Sequence, residues 1–199
     1  MTVEIMIIKS AQFVKGVVGT TDISAEVNKP TFAFVGRSNV GKSSVINSLV
    51  NRRDLVRSSS TPGRTQQINY FLINEEIYFA DLPGYGYARM PLQKREKMQK
   101  MLAWYLGSDE VKIDAVILII DVNIGLKESD LDVLDMLHTI GRTVVVVANK
   151  VDKSGKTSVQ KQIGLIRKVV GDCGVIPYSA KTKQGREELL SYMEDIIDG

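Results

Sequence analysis

Short apolar runs alternate with stretches of helical periodicity along most of the chain. The run TFAFVG (31–36) predicts a strand, and residues 42–51 predict a helix directly after it. Two further strands are predicted at 68–73 and 77–81, because only the tight turn NEE separates these β-rich runs. Residues 92–106 place apolar side chains at i, i+3, i+4 and i+7, which predicts a helix with one apolar face.

The second half of the chain continues the alternation. It predicts strands at 114–121, 143–149 and 174–178, and helices at 129–140, 156–170 and 185–197. Strands that are apolar throughout indicate a parallel sheet covered by helices on both faces. We therefore predict an α/β fold in three α/β/α layers, with five to six mainly parallel strands and one antiparallel strand. Ligands of such folds bind at the carboxyl ends of the strands.

Residues 1–29 show no clear pattern, so we expect an N-terminal extension packed on one domain of residues 30–199. The chain has 199 residues, 44% apolar and 25% charged, which is typical of a soluble globular domain. Its longest apolar runs are too short to cross a bilayer, and we recognise no signal peptide. A single cysteine, Cys173, cannot form an internal disulfide, which favours a cytoplasmic location.

GRSNVGKS (36–43) matches the phosphate-binding pattern G-x-x-x-x-G-K-[ST] between a predicted strand and a predicted helix. Gly36 and Gly41 let the backbone turn so that successive N–H groups point at phosphates, and the helix dipole adds to this field. Lys42 would reach the β- and γ-phosphates, and the Ser43 hydroxyl would bind Mg²⁺. The nucleotide-binding residues predicted here are Gly36, Arg37, Ser38, Asn39, Val40, Gly41, Lys42, Ser43 and Ser44.

NKVD (149–152) follows a predicted strand and fits the guanine-reading pattern N-K-x-D. The Asp152 carboxylate can accept both ring donors of guanine, whereas adenine would leave it without donors. Asn149 would tie this loop to the phosphate loop. In YSAK (178–181), an N–H near Ala180 could meet guanine O6, with a simple helix cap by Ser179 as the alternative. The base-site residues predicted are Asn149, Lys150, whose stem would cover the purine face, Val151, Asp152, Tyr178, Ser179 and Ala180.

Two loops, 54–67 and 82–91, have the composition of nucleotide-dependent switches. In DLPGYGY (81–87), Asp81 would hold Mg²⁺ through water and the Gly84 N–H would touch the γ-phosphate. In TPGRT (61–65), Thr65 is our choice for the second Mg²⁺ hydroxyl and Thr61 is the alternative. The switch residues predicted to bind GTP are Gly63, Arg64, Thr65, Gln66, Gln67, Asp81, Leu82, Pro83 and Gly84.

GRSNVGKSS, TPGRTQ, DLPGYGYA and the N-K-x-D and S-A-K boxes, in this order, resemble the EngB family of small GTPases over residues 30–197. The resemblance implies a P-loop GTPase fold that binds GTP or GDP with Mg²⁺. It also implies a role in biogenesis of the large ribosomal subunit, with links to the cell cycle and septation. Two features depart from the family pattern: DVNIGLKESD (121–130) lacks an Arg two residues after its Asp, and NKVD replaces the commoner TK-x-D.

Tyr85 stands where many GTPases place a catalytic Gln, and a phenol cannot polarise water as an amide does. The resemblance therefore implies slow unassisted hydrolysis. K⁺ held by Asn39, a partner's arginine or ribosomal RNA could supply the missing charge; a loop-bracing role for Asn39 is the alternative. The catalytic residues predicted are Lys42, Thr65, Gly84 and Asn39.

The net charge of +3 does not by itself imply nucleic-acid binding, but residues 52–100 hold nine Lys and Arg against five acidic residues. A solvated face is the plain interpretation. The resemblance favours contacts with ribosomal RNA phosphates by Arg52, Arg53, Arg57, Arg64, Arg89, Lys94, Arg95, Lys97 and Lys100.

Two other functions stay open at this point, a phosphotransferase acting on a small substrate and an RNA-binding module that nucleotide merely stabilises. The first needs a second substrate pocket, and the sequence shows no inserted segment for one. We expect Trp104 and Tyr105 to pack in the core, with stacking on RNA bases as the alternative, and His138 to lie at the surface. We expect a monomer.

Overall fold

The computed structural model describes residues 6–18, 29–56, 67–86, 91–109 and 111–199. The strands are β1 Ala11–Val17, β2 Thr31–Gly36, β3 Ile68–Ile73, β4 Ile77–Asp81, β5 Ala115–Asp121, β6 Val144–Asn149 and β7 Gly174–Pro177. The helices are α1 Lys42–Leu49, α2 Leu92–Gly107, α3 Glu128–Thr139, α4 Lys156–Val170 and α5 Arg186–Asp198, with a short 3₁₀ helix at Val151–Lys153. No helix among these residues is long and apolar enough to span a membrane.

The strands form one sheet in the order β1-β3-β4-β2-β5-β6-β7. β3 runs antiparallel to both of its neighbours, and every other pair is parallel, which confirms the predicted single antiparallel strand. The β3–β4 hairpin closes through Asn74 and Glu75, whose φ angles of 50° and 61° allow a tight turn of the hairpin type.

The prediction of five to six strands was wrong, because β1 forms a seventh strand within residues 1–29. β1 lies at the sheet edge, and its middle residues are mostly exposed, so they carry no alternating apolar pattern. Pairing with β3 holds it in place, with a register shift between Phe13 and Lys15. The Asn74 side chain adds to this by accepting the N–H groups of Lys9 and Ser10.

Two hydrophobic layers cover the sheet and confirm the three-layer prediction. α2, α3 and α4 contribute buried side chains to one layer, together with Ala33 and Val35 of β2. α1 and α5 contribute to the other layer, together with Phe32 and Phe34. Because side chains alternate along β2, both faces of this central strand are buried. Strands β2, β4, β5, β6 and β7 run parallel to one another, so the loops at their carboxyl ends meet along one edge of the sheet.

Candidate nucleotide-binding site

The phosphate-binding loop joins β2 to α1, and its shape depends on Gly41. Gly41 precedes α1 with a φ of 96°, a conformation that residues with a side chain rarely adopt. A Cβ at this position would lie 2.5 Å from Asn149 Nδ2. No side chain among the described residues caps α1, so the N–H groups of its first turn remain available to an anion.

Lys42 and Asp81 form a nearly buried ion pair at the centre of this edge, with 11% and 5% of their side chains exposed. Sequence reasoning assigned them to phosphate and to metal-bound water, respectively, and the structure brings the two side chains together. A bound triphosphate with its metal would offer each a stronger partner. The assignments of Lys42 to phosphate and of Asp81 to metal-bound water stay predictions.

The residues present fit the Mg²⁺ that GTPases of this fold use. Ser43 and Asp81 line a common cavity of about 610 Å³ that also contains Pro83, Gly84 and Gln67. A hydroxyl and a carboxylate oxygen are ligands that Mg²⁺ accepts, with water completing its shell. Thr65, predicted as the second hydroxyl, lies outside the described residues, as do Thr61, Gly63, Arg64 and Gln66.

A second cavity of about 980 Å³ adjoins the first and shares Ser43 and Ser44 with it. Its wall includes Ala180 and Lys181 from the loop after β7. Together the two cavities run from the phosphate loop to the loop after β7, and their volumes are those of small-molecule sites.

Asn149 joins the base-reading loop to the phosphate loop, as predicted. Its buried side chain donates from Nδ2 to the Val40 carbonyl at 2.9 Å and accepts the Ala180 N–H at Oδ1 at 3.2 Å. The Ala180 N–H thus has a partner inside the protein. The contact to guanine O6 that we expected near Ala180 stays a prediction.

Lys150 bridges three loops. It has a φ of 71°, and its Nζ donates to the Asn39 carbonyl at 2.6 Å and to Asp121 Oδ2 at 2.7 Å. Burial raises the pKa of Asp121, but hydrogen bonds from Lys150 and Asn123 outweigh it and leave this pKa below its usual value. The predicted cover of the purine by the Lys150 stem stays a prediction.

Asn123 occupies the position where the sequence departs from the family pattern. Its side chain donates to Asp121 Oδ1 at 3.1 Å and to the Lys150 carbonyl at 3.2 Å. Sequence reasoning missed both Asp121 and Asn123 as parts of the site. The sequence signal was that Asp121 ends a predicted strand, as Asn149 does. The structure places the two strands side by side and pairs these two residues.

Ser179 orients Asp152, the residue predicted to recognise guanine. The buried Ser179 hydroxyl donates to Asp152 Oδ1 at 2.6 Å and accepts the Thr182 N–H at 3.1 Å. Asp152 itself is exposed. The hydroxyl therefore closes the turn after β7 and holds the carboxylate predicted to recognise guanine. The alternative of a helix cap is wrong, because α5 follows Gly185 and no side chain among the described residues caps it.

Three predicted site residues turn their side chains into the protein. The Tyr178 hydroxyl lies 2.6 Å from Ser48 Oγ in the core, and burial raises the pKa of this tyrosine. Leu82 and Val151 are buried as well. A contact of these three residues with a nucleotide would therefore be made by their backbone, and their assignment to the site stays a prediction.

Tyr85 also points away from the phosphate loop opening. Its hydroxyl donates to Asp130 Oδ1 of α3 at 2.8 Å, and Arg37 Nε donates to Asp130 Oδ2 at 2.9 Å. The Tyr85 backbone instead contacts the phosphate loop, because the Ser38 N–H donates to its carbonyl at 3.1 Å. The side chains of Arg37 and Tyr85 thus both bind to Asp130 of α3.

Those basic residues of 52–100 that the structure describes do not form one patch. Arg52 and Arg53 follow α1 on one side of the sheet, whereas Lys97 and Lys100 lie exposed on α2 on the other side. Lys94 and Arg95 are exposed on α2 as well, and Arg57, Arg64 and Arg89 lie outside the described residues.

The aromatic residues Trp104 and Tyr105 pack against the core, and His138 lies at the surface. Tyr105 is fully buried, and its hydroxyl accepts a hydrogen bond from Tyr70 at 2.8 Å, while Trp104 is half-buried against the same core. His138 is exposed in the last turn of α3, with Nε2 3.2 Å from Cys173 Sγ. The predictions of packing and surface roles are confirmed.

Comparison with known proteins places this site in a family. A family model described as a 50S ribosome-binding GTPase matches residues 31–150. The probable GTP-binding protein EngB of Fusobacterium nucleatum is 41% identical over 195 residues, covering 97% of this chain and 100% of the relative. The homologue of the same name from Clostridium kluyveri is 40% identical, covering 97% of this chain and 98% of the relative.

Comparison with solved structures supports the same family assignment. A crystal structure of a probable GTP-binding protein EngB aligns with a TM-score of 0.71 and 25% identity, covering 84% of this chain and 98% of the other. Era in complex with MgGDPNP and a segment of 16S ribosomal RNA aligns with a TM-score of 0.69 and 26% identity, covering 84% of this chain and 57% of the other. The phosphate loop, the N-K-x-D loop and these relatives together show that the chain belongs to the EngB family of P-loop GTP-binding proteins.

Proposed function

We propose that the chain is a GTP-dependent switch in the assembly of the large ribosomal subunit, with slow hydrolysis of its own. The observation that carries this proposal is the junction in which Asn149 bonds to Val40 while Ser179 holds Asp152. One end of the site then presents amides and Lys42 to a polyphosphate, and the other presents a carboxylate to a purine with paired donors. The family model that matches this chain is described as a 50S ribosome-binding GTPase, which supports the large ribosomal subunit as the partner.

Guanine selectivity is tested by calorimetry with GDP and ADP. Asp152 is exposed, and Ser179 holds its carboxylate, so little ordering would be needed when it meets the base. We expect Asp152→Asn to lower GDP affinity at least about tenfold, because one charged acceptor becomes a donor facing the donors of guanine. Affinity for a xanthine nucleotide should rise, since xanthine replaces the exocyclic amine with an oxygen.

The matched control is Asp172→Asn, which makes the same chemical change in the exposed turn before β7. This variant should bind GDP like the parent. Equal affinity of the parent for GDP and ADP would exclude guanine recognition, and so would an unchanged preference in Asp152→Asn.

Mg²⁺ would be held by Ser43 and, through water, by Asp81, and when bound it neutralises charge on the β- and γ-phosphates. Lys42 then holds the same phosphates from the protein side. The Tyr85 hydroxyl is bonded to Asp130, so it cannot position water, and this supports slow unassisted turnover.

K⁺ held by the exposed Asn39 side chain is our proposed stimulant, with a partner's arginine or ribosomal RNA as the other sources. Asn39 has a φ of 68°, and only its carbonyl is engaged by Lys150 in the contacts above. GTP turnover should be faster in K⁺ than in Na⁺ for the parent and equal in both salts for Asn39→Ala. Equal parent rates in both salts would remove K⁺ from the mechanism.

The ribosomal part of the proposal is tested by cosedimentation with large ribosomal subunits in GDP or a non-hydrolysable GTP analogue. We expect binding in the analogue alone. Replacing Lys97 and Lys100 with Glu should weaken it more than the same change at Arg52 and Arg53, because α2 directly follows the second switch loop. Equal binding in both nucleotides would contradict the switch.

A cytoplasmic, monomeric state and links to the cell cycle and septation complete the proposal. Light scattering during size-exclusion chromatography tests the monomer, with and without GTP. Depletion of the protein in cells should cause large-subunit precursors to accumulate before any defect in septation, if assembly is the primary role.

A further inference from the structure

Asp130 is a fully buried carboxylate in the first turn of α3. It accepts three hydrogen bonds, from Tyr85 Oη at 2.8 Å, from Arg37 Nε at 2.9 Å and from the Lys127 N–H at 2.9 Å. These donors come from the second switch loop, the phosphate loop and the loop before α3. A buried charge is tolerated when it is paired and hydrogen-bonded in this way, and removal of one donor is costly.

The backbone of Tyr85 is attached to the phosphate loop at the same place. Its N–H donates to the Gly36 carbonyl at 3.3 Å, and its carbonyl accepts the Ser38 N–H at 3.1 Å and the Ser38 hydroxyl at 3.2 Å. Tyr85 is therefore held through both its backbone and its side chain. Burial and the neighbouring Asp130 raise the pKa of its phenol, so the group stays a proton donor in the hydrogen bond.

Gly86 lets the chain continue past this attachment. Its φ is 75°, and a Cβ there would lie 3.3 Å from Cγ and Cδ of Arg37. The switch segment thus crosses close over the Arg37 stem while the guanidinium reaches beneath it to Asp130. Gly84, the predicted γ-phosphate contact, immediately precedes Tyr85 and lies beside Ser38.

We propose that Tyr85 and Asp130 are positioning residues that hold Gly84 at the mouth of the phosphate loop, ready for the γ-phosphate. This inference rests on the proposed function, because it assumes that Gly84 reads the γ-phosphate. It gives a reason for tyrosine where other GTPases place glutamine. The phenol hydrogen-bonds to the α3 carboxylate and thereby fixes the position of the neighbouring Gly84 N–H. α3 is then joined directly to the part of the site that distinguishes GTP from GDP.

The test compares affinities for GDP and for a non-hydrolysable GTP analogue, both with Mg²⁺, in Tyr85→Phe and Tyr70→Phe. Tyr70 is the matched control, because it also loses one buried hydroxyl hydrogen bond, to Tyr105, away from the phosphate loop. We expect Tyr85→Phe to weaken analogue binding about five- to tenfold and to leave GDP binding within about twofold. Tyr70→Phe should leave the ratio of the two affinities at the parent value.

A second variant, Asp130→Asn, removes the charge with almost no change of shape. Its effect on the affinity ratio should exceed that of Tyr85→Phe, and the double variant should be no worse than Asp130→Asn alone, because both changes break one linkage. If the parent discriminates the analogue from GDP and Tyr85→Phe keeps the parent ratio, the positioning role is wrong and the proposed function stands. If the parent binds no guanine nucleotide, the proposed function is wrong and this inference falls with it.

Discussion

Replacing Gly41 with alanine tests whether the phosphate loop is shaped by its contact with the base-reading loop. The φ of 96° at this residue costs an L-residue about 1–2 kcal/mol. The new methyl group would also lie 2.5 Å from Asn149 Nδ2 and displace it from the Val40 carbonyl. Losing a buried hydrogen bond costs about 1–3 kcal/mol, so we expect Gly41→Ala to destabilise the protein by about 2–5 kcal/mol.

Urea unfolding of the nucleotide-free protein measures this loss without a contribution from ligand binding. Gly164→Ala is the control, because Gly164 lies within α4 with no neighbouring atom within 4 Å of the added methyl group. Alanine in a helix is favoured over glycine, so Gly164→Ala should stabilise the protein by about 0.5–1 kcal/mol. GDP affinity should fall in Gly41→Ala and stay unchanged in Gly164→Ala.

The same glycine-to-alanine change should therefore lower the free energy of unfolding at residue 41 and raise it at residue 164. A free energy of unfolding in Gly41→Ala within about 0.5 kcal/mol of the parent would refute the reasoning, since neither cost could then be present. Loss of GDP binding with unchanged stability would mean that Gly41 serves the ligand alone and that the two loops are not joined before the nucleotide arrives.

Three further predictions address other parts of the structure. Ser179→Ala should lower GDP affinity in calorimetry about five- to tenfold, because Asp152 loses the hydroxyl that orients it; a change below twofold would contradict this role. Asp121→Asn should cost stability at pH 7. Because the pKa of Asp121 is lowered in the folded state, the difference from the parent should be full above about pH 5 and should shrink as pH falls below about 4, towards the lowered pKa of the folded protein; a difference that does not shrink between about pH 5 and about pH 3 would show that ionisation is not its source. Arg142→Ala should lower the free energy of unfolding by about 1–3 kcal/mol, because Arg142 donates to two carbonyls at the end of α2 at 2.7 and 2.9 Å, with GDP affinity unchanged; unchanged urea unfolding would contradict it.

The joined loops also bear on how the site binds its ligand. Asn149 and Lys150 connect the base-reading loop to the phosphate loop through hydrogen bonds within the protein. A site assembled in advance loses less conformational freedom on binding, so more of the contact energy remains as affinity. The ion pair of Lys42 with Asp81 would be the exception under the proposed function, because binding of phosphates and a metal by these two residues would require it to open.

The sequence by itself determined the central sheet, the phosphate loop and the base-reading loop. These features depend on local backbone preferences: apolar runs form buried strands, and a glycine permits the turn at residue 41 that residues with a side chain rarely adopt. The turn at Asn74 was predicted for the same reason. Local patterns of this kind can be read from a short segment, since neighbouring residues decide them.

Only the tertiary structure decided which side chains meet. Tyr85 and Asp130 are 45 positions apart and Arg37 and Asp130 are 93 apart, so no local pattern could pair them. Strand β1 was missed because its mostly exposed residues show no alternating apolar pattern. Its strand conformation depends on pairing with β3, which is distant in sequence. The basic run was predicted as one group, yet α1 and α2 pack on opposite faces of the sheet and separate its described members. In each case the deciding free energy comes from contacts between distant segments, and the packing of the whole chain selects them.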